Sequence, residues 1–319
     1  MDPGFRLDDD NICPVRYAQS RTCGDTSSMP VSLVFGASGA IGRFLVPRLI
    51  TAGHDVVAVS RQTHASSRAR LRWISADLHA DVRALPDADA IFSVGPLDAF
   101  ANWFARSSTE GRPRIVAIGS QSAETKQDSA DPHERALAAR LLAAEQTLAR
   151  SADERGCAWT VLRPTLIYGA GLDRSLTPIA QFATRWRMFP KVTHANGLRQ
   201  PVHADDLAAA CLRVLETAGT SRRIYGVGGG ERLDFSAMLD RVRDSLPFRT
   251  VALPIPFMLA RAAAGIAEHL PAFGAASPMA VRRLTEDLIV DHSAASADFD
   301  WSPRTFHPDA SAWTPPPLP

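Results

Sequence analysis

Gly36, Gly39 and Gly42 follow the apolar run Val31 to Phe35 at three-residue spacing and stand directly before a helix-forming stretch. A glycine at the end of a strand permits a sharp turn, a second lets a bound group approach the backbone, and a third lets the helix pack closely on the sheet. The free N–H groups and positive dipole end of that helix then suit a phosphate. Strand, glycine turn and helix in this order are what a dinucleotide pyrophosphate requires. The order matters because the spacing is GxxGxxG and not the commoner GxGxxG. Ser38 and Ile41, inside the turn, are expected contacts of the same ligand.

A second signal lies at the end of the next strand, HDVVAVS from His54 to Ser60, which is followed directly by Arg61. An acid there would accept hydrogen bonds from the ribose hydroxyls of NAD, whereas an arginine suits the 2′-phosphate of NADP. NADP is therefore the expected cofactor, with NAD as the alternative. A lone arginine is a modest signal, because the chain carries 33 arginines and 2 lysines. Asp77 and Leu78 close the third strand, WISADL, where they would flank the adenine; Gly95 is a further expected cofactor contact.

These residues need a sheet to hold them. Apolar strands at 31–35, 55–60, 71–75, 89–95, 114–119 and 158–162 alternate with helical patterns. That alternation predicts an α/β fold with a Rossmann-type doubly wound parallel sheet, and ligands at the carboxyl ends of its strands. After Arg163 the rhythm loosens, with strand candidates near 191–194, 200–203 and 223–227. The expected division is a polar, disordered extension over 1–28, a nucleotide-binding domain over 29–165, a smaller lobe built mainly from 166–310, with one strand and helix returned to the sheet, and a loose proline-rich tail over 311–319. Met29, just before the first strand, is a candidate start.

The 319 residues are 45% hydrophobic and 22% charged, as in an ordinary globular protein, and the formal net charge of +1 gives no pointer to nucleic acid or an anionic membrane. Cys13, Cys23, Cys157 and Cys211 form no metal or dithiol spacing, so a reducing cytoplasm is the expected setting. No run reaches the ~20 apolar residues of a membrane span. The nearest, TVALPIPFMLARAAAGIAEHL over 250–270, reads as a buried amphipathic helix.

GASGAIG, RIVAIGSQS (114–122), LRPTLIYGAG (162–171), RQPVHADDLAAA (199–210) and DFDWSPRTF (298–306) occur in an order that resembles the extended or atypical short-chain dehydrogenase/reductases, of the nucleotide-sugar epimerase/dehydratase type. The resemblance spans about 30–307. It implies an NAD(P)-dependent oxidoreductase or epimerase-like enzyme acting on a small carbonyl or sugar-nucleotide-like substrate, with Pro164 near the nicotinamide carboxamide of the cofactor; a homodimer is compatible with it.

The family places a serine after the fifth strand, matched here by Ser120 or Ser122, and a tyrosine and lysine four apart on the next helix. That pair is missing. The helix, with Asp131 as N-cap, Pro132 at its first position and Glu134 completing a capping-box-like pair, carries Leu137 and Leu141 at the two places when Glu145 anchors the alignment. Protonating an alkoxide near neutral pH needs another acid. The candidates are the serines, Lys126 in the following loop, and Tyr168, the best remaining phenol. His133 reads as a surface histidine and Arg140 as solvent-facing. Asp205 reads as an N-cap near His203 and Asp206, and Arg199 resembles the arginine that binds sugar-nucleotide phosphates. The second reading is a cofactor-binding sensor or assembly protein with little or no turnover.

Overall fold

The computed structural model describes residues 29–65, 68–80, 85–108, 111–260, 262, 281 and 283–319. The strands are β1 (Val31–Phe35), β2 (Asp55–Ser60), β3 (Leu71–Ser75), β4 (Ala90–Ser93), β5 (Arg114–Ile118), β6 (Trp159–Pro164), β7 (Ile167–Tyr168), β8 (Met188–Val192), β9 (Leu198–Arg199), β10 (Val202–His203), β11 (Arg223–Val227), β12 (Leu233–Asp234) and β13 (Val251–Ile255). The helices are α1 (Gly42–Thr51), α2 (Leu97–Arg106), α3 (Ser122–Thr125), α4 (Pro132–Glu154), α5 (Thr177–Trp186), α6 (Ala204–Glu216), α7 (Phe235–Asp244) and α8 (Ser293–Phe299). The extension 1–28, and with it Cys13 and Cys23, lies outside the described residues, which open at Met29, the candidate start.

Seven strands form one parallel sheet in the order β11-β6-β5-β4-β1-β2-β3. Its strands are continuous apolar runs because each face has its own cover. Val34, Val56, Phe92 and Val116 pack with Leu45 of α1 and Val214 of α6; Leu33, Val57, Ile91 and Ile115 pack with Phe104 of α2 and Leu148 of α4. The chain builds outward from β1 through β2 to β3, then returns to lay β4 on the other side of β1. This reversal splays the loops after β1 and β4 and opens a crevice at their carboxyl ends.

The second half of the chain is shared between two regions. β11 joins the sheet beside β6, with Tyr225 opposite Leu162, and α6 packs under it, while α5, β8, α7 and the chain's end enclose a separate core of Leu176, Phe189, Met238, Leu239 and Trp313.

Three local expectations are corrected. Residues 251–255 form β13, paired in parallel with β8, and a turn of helix follows in which Met258 and Leu259 are exposed. Pro254 and Pro256 interrupt any helix across this run. Most of the rest of 250–270 lies outside the described residues. The tail is anchored at its start: Ala312 and Trp313 are buried, the Trp313 indole N–H donates to Ser245 Oγ at 2.8 Å, and the Pro316 carbonyl accepts from Arg43 Nη1. The N-cap of α6 is His203, whose Nδ1 accepts from the Asp205 N–H at 3.1 Å. Asp205 instead bridges Arg48 of α1 at 2.6 Å and Arg304 at 2.9 Å, and so joins the sheet to the closing segment.

Candidate functional site

The glycine turn is built as its residue types require. Gly36 leaves β1 at φ +81°, and a Cβ there would meet Gly95 N at 2.8 Å; a Cβ on Gly42 would lie 2.4 Å from Gly36 O. Both contacts are with backbone, so neither can relax through a side chain. The turn opens a cavity of about 570 Å³ lined by Gly36, Ser38, Gly39, Arg61, Asp77, Leu78 and Gly95, together with Ser60, Gln62 and His79. Seven residues expected from sequence to contact the cofactor thus line one crevice. The cradle fits a dinucleotide: the crevice opens where β1 passes into α1, and Gly36 and Gly42 lie so close to neighbouring backbone that no side chain could stand there.

Arg61 is exposed, and no carboxylate pairs with it among the described residues; its carbonyl accepts from Ser75 Oγ at 3.2 Å. Ser60 was missed. Its hydroxyl lies 3.2 Å from both Ser38 Oγ and His64 Nε2, and the Gln62 N–H donates to it. This links the glycine turn to the loop after β2, and the only sequence signal was a hydroxyl at a strand end beside Arg61.

Ile41 lies beyond the crevice, in a neighbouring cavity with Gly95, Ile118, Gly119, Leu141 and Ile167. Leu141 therefore occupies the wall between the glycine turn and the end of β5, where the family resemblance expects a lysine. Leu137, one turn earlier on α4, is half-buried.

The next cavity, about 470 Å³, is lined by Ser120, Ser122, Lys126 and Pro164 with Gln121, Glu134, Arg199, Phe235 and Arg283. Ser120 Oγ accepts from the Ser122 N–H at 3.2 Å, and Ser122 opens the short α3. Lys126 Nζ is 3.1 Å from Glu134 Oε1, which also accepts from Arg283 Nη1 at 2.5 Å; Ser129 donates to Oε2 at 2.7 Å. Burial raises the Glu134 pKa, but these donors outweigh it and hold the carboxyl below its ordinary value. Asp131 does cap α4, accepting from His133 N at 2.8 Å, but Glu134 turns into the cavity and does not complete a capping box.

Arg199 is buried and donates to the carbonyls of Leu198, Glu286 and Arg283 at 2.8, 2.7 and 2.6 Å; burial, then the neighbouring Arg283, lower its pKa to about 10. Its guanidinium is thus tied to backbone carbonyls in the wall of the cavity.

Tyr168 does not reach this site. It is buried in the smaller core, edge-on to His203 and Phe306 with centroids 5.0 and 4.8 Å away, and desolvation pushes its hydroxyl up to about 12. The strand β7 turns it away from the cofactor crevice, so it is a packing residue. His133 is exposed, and Arg140 is also exposed, 3.4 Å from Asp98 of α2. Among the described residues no helix is long and apolar enough to cross a membrane.

A family model described as NAD(P)H-binding matches residues 36–218. Among curated relatives, the mitochondrial NADH dehydrogenase [ubiquinone] 1 alpha subcomplex subunit 9 of Dictyostelium discoideum is 24% identical over 67% of this chain, which spans 63% of that relative's length. A 2-alkyl-3-oxoalkanoate reductase of Stenotrophomonas maltophilia is 24% identical over 85% of this chain and 94% of its own. MoeE5, solved in complex with UDP-glucuronic acid and NAD, superposes with a TM-score of 0.65 at 17% identity, covering 89% of this chain and 97% of that one, and carries the fold. The Rossmann-type architecture and the short-chain dehydrogenase/reductase resemblance read from the sequence both stand, and with its match over more than half of the residues the chain belongs to the NAD(P)H-binding family.

Proposed function

We propose that this protein is an NADP(H)-dependent reductase or epimerase-like enzyme for a small anionic carbonyl or sugar-nucleotide-like substrate, working without the family's tyrosine and lysine. The observation that carries this reading is the second cavity, which gathers Ser120, Ser122 and Lys126 at the carboxyl ends of β5 and β6, beside the wall formed by Ile41 and Leu141. A bound nicotinamide supplies or accepts the hydride. Ser120 and Ser122 donate hydrogen bonds to the substrate oxygen, and the Lys126 ammonium, held by Glu134, delivers the proton. Lys126, Arg199 and Arg283 outnumber Glu134, which favours a substrate bearing negative charge. Arg61 favours the 2′-phosphate of NADP. The buried thiols Cys157 and Cys211 suit a reducing cytosol. A homodimer is compatible with this reading.

NADPH oxidation screened against anionic carbonyl compounds and nucleotide sugars tests the proposal, with Lys126→Met, Ser120→Ala and Ser122→Ala as controls. Turnover that falls in the Lys126→Met variant while NADPH still binds supports it. If NADPH binds and no substrate class turns over, the second reading takes its place: a cofactor-binding sensor or assembly protein. Leu141 in the family lysine's place favours that alternative, as does a relative named as a subunit of NADH dehydrogenase.

A further inference from the structure

Six of the eleven large apolar side chains exposed among the described residues gather in one place, while Met29, Leu172, Ile224 and Leu318 lie singly elsewhere. Trp186 (57% exposed), Met188, Val251 (70%), Leu253, Met258 (69%) and Leu259 (62%) all lie on the end of α5, the β8–β13 pair and the turn of helix after it. In the parallel register Met188 stands opposite Val251 and Pro190 opposite Leu253. The outward face of this two-stranded sheet is thus continuous and apolar, while Phe189, on the other face, is buried in the smaller core. Single exposed leucines need no explanation, but a patch of this kind does.

Its charge is equally one-sided. Residues 177–192 and 245–260, which build the patch, contain Arg185, Arg187, Lys191 and Arg249 and no Asp or Glu. Lys191 is paired with Asp240 at 2.7 Å, and Asp244 lies at the rim near Arg249. Arg185, Arg187 and Arg249 have no carboxylate partner among the described residues. The Arg187 guanidinium is held 3.7 Å above the Phe248 ring, and that of Arg185 5.4 Å from Trp186. The net charge of +1 for the whole chain conceals this local separation.

We propose that this face docks on an anionic phospholipid surface, with Trp186, Met188, Val251 and Leu253 entering the headgroup region and Arg185, Arg187 and Arg249 meeting lipid phosphates. Shallow apolar insertion combined with basic side chains is the pairing that holds a peripheral protein on a bilayer, and tryptophan suits the interfacial depth. A second copy of the chain fits less well. A two-fold contact would set the same patch on itself and bring the unpaired arginines of both copies together. The proposal does not depend on the enzymatic reading.

The test is co-sedimentation of the full chain with phosphatidylcholine vesicles with and without phosphatidylglycerol. Binding to the anionic vesicles alone, released by high salt, is expected. The triple variant Arg185→Gln, Arg187→Gln, Arg249→Gln weakens it on the order of a hundredfold at about fivefold per arginine, and Trp186→Ser with Leu253→Ser weakens it while leaving the unfolding midpoint and NADPH binding unchanged. Absence of vesicle binding, or binding indifferent to the triple variant, overturns the proposal. So does a dimer in sedimentation velocity that Trp186→Ser with Leu253→Ser dissolves, which assigns the face to a second copy. A large fall in midpoint for that double variant also overturns it, because the face is then covered by the chain itself.

Discussion

Arg163, near the end of β6, grips Glu145 on α4 through two parallel hydrogen bonds, Nε to Oε1 at 2.9 Å and Nη2 to Oε2 at 2.5 Å. Both side chains are buried, and Arg163 also donates to Glu124. The bonds to Glu145 raise the Arg163 pKa despite its burial. The pair ties the helix that carries Leu137 and Leu141 to the strand that carries Pro164, and so sets the spacing between the walls of the second cavity. Removing one partner strands a buried charge. Glu145→Leu alone is expected to cost about 3–5 kcal/mol, and the double change Glu145→Leu with Arg163→Met clearly less. Urea unfolding of the double-mutant cycle measures both.

The proposed preference for NADP is tested at Arg61. Arg61→Asp removes a charge-assisted contact of about 1.5–3 kcal/mol to a 2′-phosphate, so preference moves from NADPH toward NADH by roughly tenfold or more. Fluorescence titration with both cofactors reads the shift; unchanged affinities remove Arg61 from the phosphate site.

Of the α4 leucines, Leu148 is sealed in the core, whereas Leu137 and Leu141 are not. Leu141 lines the wall beside Ile41 and Leu137 is half-buried. The double change Leu137→Tyr with Leu141→Lys should therefore keep a melting temperature close to the parent's. Were both side chains sealed in, a buried amine and phenol would cost several kcal/mol and the fold would collapse.

His203 makes the start of α6 sensitive to acid. Desolvation, then Arg304, lower its pKa, and Nδ1 must be unprotonated to accept from Asp205 N. The unfolded chain therefore takes up this proton first as pH falls. The stability it contributes is full above about pH 6.5, the ordinary imidazole value, and is lost as pH drops toward the folded value. His203→Asn keeps an acceptor at the cap and does not titrate. Its unfolding midpoint should vary less than the parent's between neutral and mildly acid pH; an identical profile would show that His203 is not the titrating group.

The sheet was legible in the sequence because buried parallel strands are short apolar runs punctuated by glycine and polar residues, and β1, β2, β3 and β11 have the expected limits. The cofactor crevice was legible for a related reason: Gly36, Arg61, Asp77 and Gly95 each follow a strand, and parallel strands end on the same side. The second cavity was harder to read. Glu134 and Arg283 meet across 149 residues of chain, a contact with no local spacing to signal it. Glu134 looked like half of a capping box because that is the job of a glutamate at its position when no cation waits above it. Tyr168 looked catalytic by elimination, and only the turn into β7 shows which way it faces. The run over 250–270 was ambiguous in kind, since short apolar stretches suit either a strand or a helix.

The placement of β11 has a consequence for the order in which the protein can be made. β6 ends at Pro164, but the strand that pairs with it begins only at Arg223, after α5, α6 and the connections between them. Until that length has been synthesised, the nucleotide-binding half presents β6 as an open edge with unpaired N–H and C=O groups, a template for pairing with other nascent chains. The cofactor-binding half is thus not a detachable module, and a fragment cut after residue 165 would carry a self-associating edge that the complete chain covers with its own later strand.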